Sequence, residues 1–193
     1  DFFERAAAQG FPPALHNLGY LHEVGMEGLA PDLVAARDWY SRAAALDYPP
    51  SLGGLGTLVH DGKGGPVDLE QALMLFRRGA DMGDPVSLEW LAFMTGEGEA
   101  GLVADLAESR RLYTIAAMLG RSYSQNRLGE MMERGEGGAQ DIAAAVDLYR
   151  QAAHGGFAYG AINAAWAITE NRDLFPDQIE GLSWCFWALD NAP

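Results

Sequence analysis

The sequence predicts an all-α fold, an α-α superhelix built as a solenoid of antiparallel helix pairs with about 36–37 residues per repeat. Three series share this period: a small residue, an aspartate and a pair of residues that includes an aromatic one. Internal periods of roughly 20 to 50 residues are typical of solenoids, in which each repeat buries its apolar face against its neighbours. Their common phase therefore indicates one repeated helix pair.

The first helix of each pair, helix A, carries the small residue. Such a residue would let helix A approach the second helix, helix B, closely. The series is Gly19, Gly56, Ala92, Gly129 and Ala165, at steps of 37, 36, 37 and 36 residues.

An aspartate marks each expected start of helix B, because its carboxylate can accept hydrogen bonds from the free N–H groups of a first turn. The spacings of Asp68 with Gln71, Asp105 with Glu108 and Asp177 with Glu180 also fit a capping box. The series is Asp32, Asp68, Asp105, Asp141 and Asp177.

Apolar residues follow each aspartate at helical spacing, and the aromatic ones are expected in the core. A glycine before each aspartate is expected to end helix A. The predicted core aromatics are Trp39, Tyr40, Tyr113 and Tyr149, and the predicted turn glycines are Gly25, Gly62, Gly98 and Gly135.

These patterns predict one repeat domain over residues 1–193. It would comprise a half repeat with helix B only (1–12), repeats at 13–49, 50–85, 86–122 and 123–159, and a degenerate or end repeat at 160–193. Helix A is expected at 13–24, 50–61, 86–97, 123–134 and 160–170, and helix B at 1–9, 32–46, 68–82, 105–119, 141–154 and 177–190. Since the first residues fit the middle of a helix B, we expect the chain to be a fragment.

Composition narrows the classes of partner. The net charge of −14 and the pI of about 4.5 disfavour nucleic acid and anionic membranes, both of which attract basic surfaces. No stretch approaches the roughly 18 apolar residues of a membrane span. Cys185 is the one cysteine, which forbids an internal disulfide, and we expect it to be a small buried hydrophobe in the last helix. The use of arginine over lysine favours a bacterial source with a high-GC genome.

Motif-like strings do not predict an enzyme, a cofactor or a metal site. The run from Gly96 to Gly101 matches G-x-G-x-x-G, but it follows a helix instead of linking a strand to a helix. The run from Gly56 to Lys63 resembles a P-loop with one residue too many and with glycine in place of Ser or Thr. The four histidines lack the spacing of a zinc site. We therefore predict no catalytic residues.

The segment from Ala14 to Gly19, followed by Gly25, Asp32 and Trp39-Tyr40, resembles the Sel-one-like repeat (SLR) family, a relative of the tetratricopeptide repeat. This resemblance covers nearly the whole chain and is poorest in the fifth unit, where Ala165, Asn171 and Trp184-Cys185 replace the usual residues. It implies a right-handed superhelix, an adaptor role, and a concave face lined by helix A. Relatives in bacteria are often exported, which favours an extracytoplasmic location.

Charge differs between the two helices of the pair. The segments from the start of helix A to just before each aspartate contain 11 acidic against 4 basic residues, whereas helix B, without its cap aspartates, contains 5 against 7. Tetratricopeptide geometry then gives the groove-facing positions of helix A. The candidate binding residues are His16, Tyr20, Glu23, Thr57, His60, Asp61, Glu89, Phe93, Glu97, Asn126, Glu130, Glu133, Arg134, Ile162, Trp166 and Glu170.

The predicted function is a protein–protein interaction scaffold that holds a peptide or partner domain on an acidic concave face. The partner is expected to offer a basic segment, since opposite charges steer association, and exposed aromatics would act as anchors. An alternative is the regulatory arm of a larger enzyme whose catalytic domain lies outside this chain. Binding of a surface polysaccharide is a third hypothesis, based only on the aromatic residues.

Overall fold

A computed structural model describes residues 2–25 and 30–191 of the chain. Within these residues the secondary structure is helical, with no β-strand, as predicted. The helices are α1 (Phe2–Ala8), α2 (Pro12–Val24), α3 (Leu33–Ala44), α4 (Pro49–His60), α5 (Leu69–Asp81), α6 (Pro85–Glu97), α7 (Leu106–Met118), α8 (Ser122–Arg134), α9 (Ile142–His154), α10 (Ala158–Glu170) and α11 (Gln178–Asn191). The even-numbered helices correspond to helix A and the odd-numbered ones to helix B.

The chain divides into two compact units by its internal contacts. Unit 1 contains residues 1–94 and 98–102, and unit 2 contains residues 95–97 and 103–193. In unit 1, α2 packs on α3, α3 on α4 and α4 on α5; in unit 2, α7 packs on α8, α8 on α9, α9 on α10 and α10 on α11. Consecutive packing of this kind is the arrangement of a repeat solenoid.

The aspartates cap helix B as predicted. The side chains of Asp32, Asp68, Asp105 and Asp141 each accept from the backbone N–H three residues later, at 2.9–3.0 Å. Their own N–H groups are not used in capping boxes. They donate instead to a carbonyl in the last turn of the preceding helix A, as from Asp32 to His22 and from Asp141 to Met132. One aspartate therefore starts helix B and ties it to helix A.

The small residue of helix A makes room for an aromatic ring of helix B. A Cβ atom on Gly19 would lie 2.6 Å from the Tyr40 ring, and one on Gly129 would lie 2.6 Å from the Tyr149 ring. Tyr40 and Tyr149 are buried, as the sequence predicted. Each ring thus fills the space beside the helix crossing, and a larger residue at the glycine would displace it.

Glycine ends several of the A helices, as predicted. Gly25, Gly62, Gly98 and Gly135 all have positive φ angles between 68° and 75°, a region that other residues rarely adopt. Gly98 therefore belongs to the repeat turn, and the G-x-G-x-x-G string that contains it begins in the last turn of α6 and continues into the loop after it.

One expectation about the core holds in part and one was wrong. Trp39 is half-buried and packs against the core cluster that contains Leu15 and Ala43, and the Arg42 guanidinium lies 4.1 Å from the centre of its ring. Cys185 is exposed instead of buried. It stands at the repeat position of Tyr149, which α10 covers, whereas no helix within the described residues follows α11 to cover Cys185.

Candidate functional site

A tyrosine of helix B and a glutamate of helix A form the same hydrogen bond in both units. In unit 1, Tyr40 Oη donates to Glu23 Oε2 at 2.7 Å; in unit 2, Tyr149 Oη donates to Glu133 Oε2 at 2.7 Å. Burial, and then the hydrogen bond to the glutamate, raise the pKa of both tyrosines above the usual value of 10.0. The hydroxyls therefore stay protonated and hold the two carboxylates at the surface of the helix crossing.

His60 replaces the glutamate of this pair in repeat 2. Its Nδ1 lies 2.9 Å from Asp61 and its Nε2 lies 3.0 Å from Glu99, while its ring is 4.5 Å from that of Trp90. Burial acts to lower the pKa of His60, but the hydrogen bonds and charges of the two carboxylates outweigh it, and the pKa is raised. Lys63 Nζ also donates to Asp61 at 2.8 Å. The network joins the end of α4 to the loop after α6.

This network predicts a pH dependence of stability. A raised folded-state pKa stabilises fully at low pH, and the contribution is lost as pH rises from the reference value of 6.5 through the folded value. We therefore expect the urea midpoint to fall between pH 6.5 and alkaline pH. In His60→Gln this fall should be absent or much smaller. If His60→Gln kept the full pH dependence, a group other than His60 would be its cause.

His16 provides the opposite case and a control. Burial lowers its pKa despite the charges of Asp84 and Glu23, and its Nδ1 lies 2.9 Å from Ser51 Oγ. A lowered histidine pKa makes protonation oppose folding, so its effect appears as pH falls below 6.5. His16→Gln should therefore alter stability below that pH and leave the alkaline fall in place.

The remaining candidates of unit 1 divide by exposure. Tyr20 is exposed and Thr57 donates to the Gly53 carbonyl, so the hydroxyl of Thr57 is engaged within its own helix. Glu89 is buried, which removes it from the accessible surface. Phe93 is half-buried, with its ring 5.9 Å from that of Trp90. Phe93 thus belongs partly to the core, and Tyr20 is the more accessible aromatic of this unit.

In unit 2, Glu130 is held by three neighbours. Asn126 Nδ2 donates to its Oε1 at 2.8 Å, Asn163 Nδ2 lies 3.3 Å from the same oxygen, and Arg127 forms an ion pair with its Oε2. Asn126 is itself only 3% exposed and accepts from Asn163 at 2.9 Å. The charge of Glu130 is therefore matched within the protein, and Asn126 acts as a buried link between α8 and α10.

Glu133 differs from Glu130 in the partner of its side chain. Its carboxylate accepts from a neutral hydroxyl, so its negative charge remains in place beside an open cavity of about 560 Å³. Trp166, which is 65% exposed, forms a wall of this cavity together with Ile162. The complete lining is Glu130, Glu133, Arg134, Tyr149, Ile162, Asn163 and Trp166. We call it the cation cavity.

The structure thus brings five of the predicted residues into one place: Glu130, Glu133, Arg134, Ile162 and Trp166. Glu97 and Glu170 are exposed and do not line this cavity. Sequence reasoning missed Asn163, Arg127 and Glu99, which bind the predicted residues. The matching register of Glu23 with Tyr40 and of Glu133 with Tyr149 was the signal in the sequence that could have identified the tyrosine–glutamate pair.

Neither a metal site nor a membrane-spanning helix is present in the described part of the chain. No group of three or more His, Cys, Asp or Glu side chains there is arranged to hold a metal ion. Among the same residues, no helix combines the length and the apolar character needed to cross a membrane.

Comparison with known proteins identifies the family. The model of the Sel1 repeat matches residues 1–11, 12–48, 49–84, 85–120 and 122–157, which is most of the chain and stops before α10. The chain therefore belongs to the Sel1 repeat family. Proteins of this family are generally protein-interaction scaffolds, and the fold is typically non-catalytic.

Solved structures are similar over the whole chain. A Sel1 repeat protein from Oxalobacter formigenes matches with a TM-score of 0.87 and 28% identity, over 100% of this chain and 78% of the other. A protective antigen of uropathogenic Escherichia coli strains, described as displaying an SLR fold, matches with a TM-score of 0.84 and 30% identity. That match covers 100% of this chain and 41% of the antigen.

A further likeness concerns the fold alone. An immunity protein from Pseudomonas aeruginosa matches with a TM-score of 0.60 and 19% identity, over 97% of this chain and 71% of the other. No curated protein matches the sequence.

Proposed function

We propose that the chain is an interaction scaffold that binds a protein partner through a basic side chain placed in the cation cavity. The observation that carries this proposal is the carboxylate of Glu133, bonded to the neutral Tyr149 hydroxyl and standing beside the exposed Trp166 ring. A guanidinium can pair with a carboxylate and stack on an aromatic face at the same time. An arginine is therefore the side chain that fits best.

Each residue of the cavity has a separate task in this proposal. Glu133 supplies the charge, and Trp166 supplies the face on which the guanidinium lies. Glu130, already paired with Arg127, contributes an oxygen at the edge of the cavity instead of a free charge. Arg134 is exposed and pairs with Glu136 at 3.8 Å, which partly offsets its positive charge beside the cavity.

The test uses a short acetylated peptide with one arginine between glycines, and the same peptide with citrulline in its place. Citrulline keeps the shape and removes the charge. We expect the arginine peptide to bind at least about fivefold more tightly, a difference of about 1 kcal/mol, in titrations followed by nuclear magnetic resonance. Equal affinities would contradict the proposal.

Removing the charge of Glu133 from the protein tests the same contact as removing the charge of the peptide. Glu133→Gln keeps the size of the side chain and an oxygen that can accept from Tyr149, so the fold should be retained. We expect this substitution to lower the affinity for the arginine peptide by about fivefold to tenfold, which corresponds to about 1–1.4 kcal/mol. Glu70→Gln makes the same change of net charge on exposed helix B of unit 1 and should leave affinity nearly unchanged.

The salt dependence of the affinity distinguishes an ionic contact from a purely apolar one. Because exposed charges are screened beyond about 10 Å at 0.1 M ionic strength, affinity for the arginine peptide should fall as salt is added. Trp166→Ala should weaken binding at every salt concentration, by about 1 kcal/mol, since it removes the stacking face. An affinity that is insensitive to salt would show that Glu133 is not the attractive group.

A further inference from the structure

A second cavity lies in unit 2, between α10 and α11, and shares Ile162 and Trp166 with the cation cavity. Its volume is about 370 Å³, and its lining is almost wholly apolar. The lining residues are Ile162, Ala165, Trp166, Thr169, Cys185, Ala188 and Leu189. We call it the apolar cavity.

The repeat explains why this cavity exists. Counting back 36 residues, Ala165, Thr169 and Cys185 correspond to Gly129, Glu133 and Tyr149. In repeat 4 the Tyr149 ring fills the space between the two helices, against Gly129, and is fully buried. In repeat 5 the exposed Cys185 stands at that position, and within the described residues no helix follows α11 to cover it as α10 covers Tyr149, so the place of the ring is open.

Three of the residues that line the apolar cavity are also larger and more apolar than the corresponding residues of repeat 4. Asn126, Glu130 and Ala153 of repeat 4 correspond to Ile162, Trp166 and Leu189 of repeat 5. Polar or small residues have thus been replaced by large apolar ones that line an open space. Such walls favour an apolar group, and the volume is sufficient for a ring, since an apolar cavity of about 150 Å³ already accommodates benzene.

We propose that the apolar cavity binds an aromatic side chain of a partner protein, in the place where the other repeats hold their own aromatic ring. Tyr40, Phe76, Tyr113 and Tyr149 show that this repeat position accepts a ring, since all four are buried. The proposal rests on the proposed function as a scaffold, but its site is separate from Glu133. A partner would therefore place an arginine and an aromatic residue in two cavities that share Trp166.

Tyrosine fits better than phenylalanine at one point of the cavity. Thr169 occupies the position of Glu133, which accepts the Tyr149 hydroxyl. The Thr169 hydroxyl donates to backbone carbonyls of its own helix at 3.0 Å, which leaves its oxygen able to accept. A phenol ring in the cavity would find an acceptor there.

Cys185 allows a direct test, because it is the one cysteine of the chain and lines the cavity. The probe is p-cresol, the side chain of tyrosine, and the readout is the rate of alkylation of Cys185 by iodoacetamide. At a p-cresol concentration ten times its Kd, the rate should fall about tenfold, because only about one site in eleven remains free. An unchanged rate at saturating p-cresol would overturn the proposal, and so would an equal fall with isobutanol, which is aliphatic.

A second experiment fills the apolar cavity with a side chain of the protein itself. Cys185→Phe restores the ring of the other repeats and should abolish p-cresol binding, as followed by saturation-transfer resonance. Leu182→Phe adds the same ring to an exposed position of α11 outside the lining and should leave binding intact. If Cys185→Phe does not keep its helicity, Ala165→Gly/Cys185→Phe recreates the glycine–ring pairing of repeat 4. A folded filled variant that still binds p-cresol would refute the site.

This outcome is independent of the cation cavity. The arginine and citrulline peptides are compared on the unmodified chain, so failure of the p-cresol test leaves that comparison standing. Conversely, equal affinity for the two peptides would contradict the proposed function. Protection of Cys185 by p-cresol would still show that the apolar cavity binds an aromatic ring.

Discussion

Replacing Tyr149 with alanine is expected to lower the free energy of unfolding by about 4 kcal/mol. The Tyr149 ring is fully buried and packs against Gly129 in the hydrophobic cluster of α9 and α10. Truncating a buried aromatic side chain costs about 3–5 kcal/mol, since it removes apolar contact and leaves a cavity. Urea denaturation followed by circular dichroism measures this loss.

Tyr149→Phe is the matched control. It keeps the ring and removes only the hydroxyl that donates to Glu133, so a loss of about 1 kcal/mol is expected. Phe76 occupies the same repeat position in unit 1 without a hydroxyl and is equally buried, which shows that a phenyl ring fits there. If the two variants were equally destabilised, the hydroxyl and not the ring would be the main contribution.

The fold could be predicted from sequence because its signals are local. An aspartate three residues before the N–H group it accepts from, and a glycine where the helix must turn, act within one helix end. Their spacing then repeats because each pair packs on an equivalent pair. The positions of Asp68 and Gly62 therefore determined a helix start and a helix end before any tertiary contact was known.

The candidate site could be predicted only as a face. Helical spacing places Glu130 and Glu133 on one side of α8, but it does not show what each carboxylate meets. In the structure Glu130 pairs with Arg127, whereas Glu133 accepts from Tyr149, and the two therefore differ in available charge. That difference depends on the neighbouring helix, which periodicity does not describe.

Cys185 illustrates the same limit in the core. Considered alone, a cysteine within an apolar helix is expected to be buried. Its exposure follows from its place in the repeat, because Tyr149 is packed against α10 whereas no helix of the described residues follows α11 to cover Cys185. Comparison of Cys185 with Tyr149 in the repeat register would have predicted an open space there.

The loop after helix A makes a second kind of contact between neighbouring repeats, and Gly64 is its closest point. Gly64 has a φ of +71°, and a Cβ atom there would overlap the Leu33 carbonyl oxygen and lie 3.0 Å from the Val34 nitrogen, at the start of α3. Arg37 Nη1 also donates to the Pro66 carbonyl at 3.2 Å in the same loop. The loop of repeat 2 thus rests on helix B of repeat 1.

Gly64→Ala is therefore expected to lower the free energy of unfolding by about 3 kcal/mol, the second large effect. It combines the left-handed backbone strain of a residue with a Cβ, about 1–2 kcal/mol, with a steric clash against backbone that cannot move aside cheaply. Gly83→Ala is the control, because Gly83 has a φ of +78° but no atom within 4 Å of the added Cβ. Gly83→Ala should lower the free energy of unfolding only by the contribution of backbone strain. Equal urea midpoints for the two variants would show that the loop does not hold the repeats together.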